Sequence, residues 1–348
     1  MHLNERNRSR GTVPDMANVL IISSAAPHPF DPWKHGTCFL LKHSAEIDTF
    51  QEHKLVEAPE DADLILFAEM GEAGFFAERV RAHPYFRRFR SKCFLFDSGD
   101  DCYPILPGIY ASMTEHNFRL DHCRTGFYLY LIENPFVGYR PLSGKEKCLA
   151  SFIGSRSTHP LRNKLYSFDR ADILVEDTSK VRNQITYHGE PAERAKFWSM
   201  YADAMADSRF SLCPRGHCPN SIRLYESMKM GRACVIISDE WHPNDGVDWE
   251  SCSIRVPESE VERLPEILEQ AADRALEMGM KARAEWERLF APQAVFHYVV
   301  EQCLAIQRAR GEAGFLRSLY HHRHIVEHPR MYLRSKANLY RNNKKIYW

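Results

Sequence analysis

The sequence predicts an α/β protein with two Rossmann-like halves built on parallel sheets, followed by C-terminal helices. Three observations carry that prediction. Short apolar runs without alternation recur along the chain, from Asn18 to Ser24, Asp63 to Ala68 and Lys92 to Phe96, then Lys147 to Ile153 and Ala233 to Ser238. Runs of that length and character fit strands buried on both faces of a sheet. Segments of helical periodicity separate them, including Glu78 to Arg90 and Phe197 to Ser208, so the order alternates strand and helix as parallel crossovers require. Finally, Ser208 to Asp239 reads as a strand (Phe210 to Cys213), a turn, a polar loop, a helix and a second strand, a complete β-loop-α-β unit.

Composition sets the outer limits. The 348 residues are 44% hydrophobic, 12% aromatic and 26% charged, which suits a globular chain of two ordinary domains. Lys plus Arg equals Asp plus Glu at 46 each, so no global field collects nucleic acid, and no nucleic-acid partner is expected. The start of the chain is polar and basic, and the apolar run Val19 to Ala26 is far shorter than the ~20 residues that span a bilayer. A cytoplasmic protein without signal peptide or membrane anchor is the expectation. The ten cysteines are scattered and read as reduced thiols packed among apolar residues. Cys213, His217 and Cys218 find no second ligand pair at zinc spacing, so no metal site is expected.

Residues 1–16 form a polar extension, and the first Rossmann-like domain is placed at 17–140. Its first strand leads into a loop from Phe30 to Cys38, dense in aromatic and titratable groups, with a helix starting near Phe39. The strand Lys92 to Phe96 ends in Asp97-Ser98-Gly99-Asp100-Asp101. Loops after parallel strands are where open α/β sheets bind ligands, although Asp and Gly at such a place also make ordinary turns. Tyr110 to Tyr130 is open to two readings, helix or irregular strands. The Pro- and Gly-bearing stretch Asn134 to Lys145 is the expected linker.

The second Rossmann-like domain is placed at 146–300. Its first strand runs into Gly154-Ser155-Arg156-Ser157-Thr158-His159-Pro160-Leu161-Arg162, where glycine permits a tight turn and two arginines offer forked donors to a phosphate. After the turn Pro214-Arg215-Gly216, a helix is expected to begin near Asn220 or Ser221. Its first turn, with Ser221 and Arg223, suits an anion because unpaired backbone N–H groups and the helix dipole meet there. Glu226, three residues after Arg223, shares its face. The dinucleotide fingerprint, the phosphate loop and the nucleophile elbow are all absent from the sequence, which disfavours dehydrogenases, P-loop enzymes and α/β-hydrolases. Residues 301–348 form C-terminal helices and a tail rich in Arg, Lys and Tyr. That tail reads as a solvated helix, a peripheral membrane contact or a polyanion arm.

Pro214-Arg215-Gly216, Ser221, Arg223 and Glu226, Cys234-Val235-Ile236-Ile237-Ser238, and then Trp241, Pro243 and Trp249 together resemble the nucleotide-sugar half of the exostosin glycosyltransferases. The resemblance covers Ser151 to Leu268 well and the N-terminal half loosely. It implies a GT-B architecture, two Rossmann-like domains facing a central cleft. It also implies an inverting, metal-independent transfer from a nucleotide-diphosphate sugar, with UDP as the expected carrier, to a glycan or glycoconjugate. No other cofactor is required. Glu226 would hold the ribose, and Arg215, Ser221 and Arg223 the diphosphate, joined by Gly154, Ser155, Arg156 and Arg162. The catalytic base would come from the N-terminal domain, with Asp31, His35, Asp97, Asp100 and Asp101 as open candidates. Where the family often carries Cys-Val-Pro-Val, this chain has Cys234-Val235-Ile236-Ile237, so donor identity does not carry over. The alternative reading is a catalytically silent nucleotide- or carbohydrate-binding partner of another transferase, in a homo- or hetero-oligomer.

Overall fold

The computed structural model describes residues 14–25, 36–100, 103–130, 133–181, 184–185, 189–310 and 323–343. The first half holds six parallel strands: β1 (Asn18–Ile22), β2 (Lys54–Leu55), β3 (Leu64–Glu69), β4 (Cys93–Asp97), β5 (Gly108–Tyr110) and β6 (Cys123–Thr125). Their order is β2-β1-β3-β4-β5-β6. Every residue of β3 and β4 is buried, which explains why those runs show no alternation. Helix α1 (Gly36–Glu46) covers the sheet, and α2 (Glu78–Ala82) and α3 (Pro84–Arg88) follow β3. The predicted break at Pro84 is real: His83 is extended at φ −66°, ψ 138°, and Pro84 occupies the first turn of α3, where a missing N–H costs nothing. The stretch from Tyr110 to Tyr130 supplies only the end of β5 and the three residues of β6.

The second half repeats the plan with β7 (Cys148–Gly154), β8 (Ile173–Asp177), β9 (Ser208–Pro214), β10 (Ala233–Ile237) and β11 (Ser253–Arg255), in the order β11-β10-β9-β7-β8 and all parallel. Its helices are α4 (Arg162–Leu165), α5 (Pro191–Ala206), α6 (Ile222–Met230), α7 (Trp249–Cys252), α8 (Leu264–Ala271) and α9 (Ala275–Leu289), and the chain ends in α10 (Val295–Ala309) and α11 (Pro329–Asn343). Helix α6 stops at Gly231, whose φ of +82° is the left-handed conformation that glycine adopts without penalty. In both sheets the first strand lies between the second and third, so each has a point where strand order reverses. Ligands of doubly wound folds bind beside that point, at the carboxyl ends of the strands.

The halves share one interior. An apolar cluster runs from Val19, Leu66 and Phe96 through Phe127 to Leu224, Ile236 and Val299. Helix α10 packs against α1, β5 and β6, so the chain returns to its first sheet after completing the second. Polar bonds fix the join. Asn220 donates to the Ala111 carbonyl at 2.7 Å, the Tyr225 hydroxyl to that of Gly126 at 2.9 Å, and Asn244 to that of Gly126 at 2.8 Å. Arg124 pairs with Asp245 at 2.9 Å, and His242 stacks on Phe118 at 3.5 Å between ring centres. Part of the tail packs too: the Tyr332 ring of α11 meets Phe76 edge-on at 5.2 Å. No helix among the described residues is long and apolar enough to cross a membrane.

Candidate active site

The carboxyl ends of the two sheets meet at a cleft of about 330 Å³. From the first half it is walled by Met70 and by Ser98 to Asp100, and from the second by Gly154 and Ser155 at the end of β7, Gly216 after β9 and Ser221 to Glu226 at the start of α6. These are the loops at the order-reversal points or beside them.

Helix α6 begins with Ser221 extended as its N-cap, at φ −136° and ψ 130°, and no side chain caps it. Ser221 itself lines the cleft. Arg223 is buried, with its guanidinium carbon 4.7 Å from the ring centres of both Phe152 and Tyr201. Nη2 donates to the Ile153 carbonyl. No carboxylate among the described residues pairs with it, Glu226 included. The two aromatic faces stabilise the cation, while its unused N–H donors remain for a ligand. The neighbouring Glu226 accepts the Tyr201 hydroxyl at 2.5 Å. Burial pushes the Tyr201 phenol well above its ordinary range, so it stays a proton donor.

Gly154 serves this arrangement differently from the expected tight turn. It ends β7 in a conformation open to any residue, but a Cβ there would lie 2.6 Å from Cζ of Phe152. The glycine makes room for the ring against which Arg223 rests. Arg162 approaches the same ring at 5.0 Å and is spent structurally: Nε, Nη1 and Nη2 donate to the carbonyls of Arg215, Ser155 and Pro214 at 2.8, 2.9 and 3.1 Å. It ties the β7 loop to the β9 loop. The Ser155 hydroxyl bonds those of Ser157 and Ser179 at 2.9 and 3.2 Å.

Two expected phosphate ligands point elsewhere. Arg156 donates to Asn163 at 2.6 Å and lies over the Tyr166 ring at 5.2 Å, bordering a separate depression. Arg215 is neutralised by Glu240 at 3.0 Å and Glu258 at 3.5 Å. Of the four arginines singled out in the sequence, Arg223 and Arg162 line the cleft.

Among the candidate bases, Asp31, His35 and Asp101 lie outside the described residues. Asp97 is fully buried, with Oδ1 accepting the N–H groups of Gly99 and Gly71 at 2.8 and 3.3 Å. Asp100 lines the cleft and accepts the Tyr128 hydroxyl at 2.7 Å. Sequence reasoning missed Glu69. It stands opposite Asp97 on the neighbouring strand and accepts Ser24 N–H at 2.5 Å and the Ser23 hydroxyl at 2.9 Å. Burial pushes both carboxyls up to about 7. The signal was present: a carboxylate closes the run LILFAE just as one closes CFLFD.

The one triad of metal-ligand types close enough to share an ion among the described residues, Glu52, His53 and His297, lies at the foot of β2. His53 Nδ1 accepts Ala17 N–H at 3.3 Å, which leaves the proton on Nε2 and no lone pair there for an ion.

Residues 137–271, which hold every element of the second half of the cleft, match the Exostosin GT47 domain. The likeness to the exostosin family rests on this segment, which is less than half of the chain. The exostosin-1 homolog of Caenorhabditis elegans is 30% identical over 139 residues, 36% of this chain and 36% of that protein. A rice protein (Oryza sativa subsp. japonica) named "Probable glucuronosyltransferase" is 28% identical over 53% of this chain and 42% of its own length. An Arabidopsis thaliana protein named "Probable glucuronoxylan glucuronosyltransferase" is 29% identical over 38% and 28%. The chain thus spans less than half the length of the curated relatives it matches. The matched segment holds Arg223, Glu226, Tyr201 and Phe152, and the two parallel, doubly wound halves around one cleft give the GT-B arrangement that the resemblance implied.

Proposed function

We propose that this chain is a glycosyltransferase that moves a sugar, with inversion, from a UDP-sugar to a glycan or glycoconjugate acceptor. The observation that carries the proposal is Arg223: a buried guanidinium at the start of a helix, held between two aromatic faces at 4.7 Å, lining the cleft without a carboxylate partner among the described residues. A cation so placed suits a diphosphate, whose charge grows as the glycosidic bond breaks. Such a site gains most in the transition state. Glu226, one turn further along α6, would accept the ribose hydroxyls, with its orientation fixed by Tyr201.

Inversion requires a base that takes the proton of the attacking hydroxyl from the face opposite the leaving group. Asp100 is the described candidate whose residue lines the cleft from the first half, and its hydrogen bond from Tyr128 holds it in place. Asp97 and Glu69, buried behind it, set the local polarity. No metal is needed in this scheme, since Arg223 and the α6 N-terminus meet the leaving group.

The names of the rice and Arabidopsis relatives make UDP-glucuronic acid the first donor to try. Incubation with UDP-glucuronic acid, UDP-xylose, UDP-galactose and UDP-N-acetylglucosamine, followed by assay of released UDP, is expected to single out one donor. If UDP raises the melting temperature and none of the donors is consumed, the catalytically silent partner is the better reading.

A further inference from the structure

A second cavity, of about 360 Å³, opens beside the donor cleft and shares Tyr128, Tyr130, Asn134, Ile222 and Glu226 as a common wall. Its size falls within the ~300–1,000 Å³ usual for small-molecule sites. It lies where the chain crosses between the halves, between α1, the segment after β6 and the turn joining α9 to α10. Leu40, Phe127, Trp286, Phe290, Pro292 and Val295 are among its apolar lining.

Many of its polar side chains already have partners within the fold. Ser44 donates to the Pro292 carbonyl at 2.5 Å and accepts Phe296 N–H at 2.9 Å. Asn134 donates to the Trp198 carbonyl at 2.9 Å and accepts Phe136 N–H at 3.0 Å. Glu133 and Lys229 neutralise each other at 2.9 Å, and the Tyr225 hydroxyl is bound to Gly126, Asn244 and Asn220. A sugar entering here would surrender water from its hydroxyls and find few partners, at a cost of ~1–3 kcal/mol for each group left unpaired. An aromatic or alkyl group gives up nothing of that kind and gains by leaving water. The Glu133 and Lys229 charges cancel, His43 pairs with Glu46, and the other carboxylate of the lining, Glu226, lies on the wall shared with the donor cleft and accepts the Tyr201 hydroxyl.

We infer that this cavity is an acceptor subsite that takes the apolar, aryl- or alkyl-type aglycone of a glycoconjugate. The inference rests on the transferase reading of the neighbouring cleft. The shared wall then has a function: Tyr128, whose hydroxyl holds Asp100, separates aglycone from donor, so an acceptor seated in the cavity presents its hydroxyl at the candidate base.

The test compares binding of 2-naphthyl β-glucoside and methyl β-glucoside to the full chain by calorimetry, with and without UDP. The naphthyl compound is expected to bind at least tenfold more tightly and to remain bound when UDP is added. Replacing the half-buried Leu40 by Trp fills the cavity and should remove that preference while leaving UDP affinity unchanged. Trp286→Ala, which strips one apolar wall, should reduce it several-fold. Equal binding of the two glucosides, a preference that survives both substitutions, or displacement of the naphthyl compound by UDP would each overturn the assignment. Absence of any UDP binding would instead refute the donor site, and the two glucosides would still decide what the second cavity takes.

Discussion

Tyr201 on α5 gives its hydroxyl to Glu226 on α6 at 2.5 Å, and its ring lies 4.7 Å from the guanidinium carbon of Arg223. One side chain thus positions both groups proposed to meet the nucleotide. Tyr201→Phe keeps the ring beneath Arg223 and frees Glu226, so UDP should bind about fivefold more weakly, the ~1 kcal/mol of one hydrogen bond. Glu226→Ala should cost more, ~30-fold or above, because the ribose loses its acceptor. Calorimetric titration with UDP reads both. An unchanged dissociation constant in Glu226→Ala would mean that the ribose lies elsewhere.

Arg223 separates stability from function. A buried cation with no carboxylate partner among the described residues is costly to keep folded, so Arg223→Met, which retains much of the volume, should melt at the same temperature as the parent or slightly above it. The same substitution should lower kcat by ~10²–10³-fold, as losing one preorganised donor to a developing oxyanion does. Differential scanning calorimetry and UDP-release kinetics measured on one preparation test the pair of expectations. A large fall in melting temperature would show that Arg223 mainly holds the structure together.

Gly154→Ala probes the same site from below. The added Cβ would meet Phe152 at 2.6 Å, within a core packed too tightly to absorb it. The ring must move, and Arg223 loses one of its two aromatic faces. A destabilisation of ~1–3 kcal/mol together with a several-fold weaker UDP affinity is expected. Loss of stability with unaltered UDP binding would mean that the Phe152 face contributes nothing to the cation's placement.

The alternation of elements was legible because strands covered on both faces carry short apolar runs, and each of β1, β3, β4, β7, β9 and β10 falls on such a run. The start of α6 at Ile222 was legible from the small polar residues before it. The short strands β5 and β6 were not, since three residues each give no period to read. Within the site, a guanidinium looks the same in sequence whatever its partner. The sequence could not show that Glu240 and Glu258 would neutralise Arg215, or that Arg162 would be consumed by the carbonyls of Pro214 and Arg215, because these contacts join residues 25 to 53 positions apart. The aromatic pair around Arg223 was hidden for the same reason.

Asp100→Asn tests the proposed base. An amide keeps the shape and can still accept from Tyr128, but it takes no proton, so kcat should fall by ~10²–10⁴-fold with UDP affinity unchanged. Tyr128→Phe should fall less, ~3–10-fold, since it only releases the carboxylate from its hydrogen bond. Full turnover in Asp100→Asn would remove Asp100 from the chemistry and return the search to Asp31, His35 and Asp101.

The buried pair behind Asp100 makes a prediction about pH. Glu69 and Asp97 face each other across β3 and β4, and burial raises each to about 7, against ~4 in the unfolded chain. Between those values the folded state holds protons that the unfolded state has lost. These two groups therefore make stability fall as pH rises from ~4 to 7, with the penalty fully present above that window. His122 and His324, which burial lowers to about 4, act in the opposite direction below ~6.5, so the wild-type profile alone would mix the two. The difference between wild type and the double variant Glu69→Gln, Asp97→Asn isolates the carboxylates. At pH 5, about one unit into that window, the variant should already hold the smaller part of its advantage. By pH 8 that advantage should have grown by a further ~2–3 kcal/mol per carboxylate, read from urea unfolding at both pH values. A difference that stays flat from pH 5 to 8 would mean that the pair is already ionised in the folded protein, with its charge met by solvent or by a group on the cleft side.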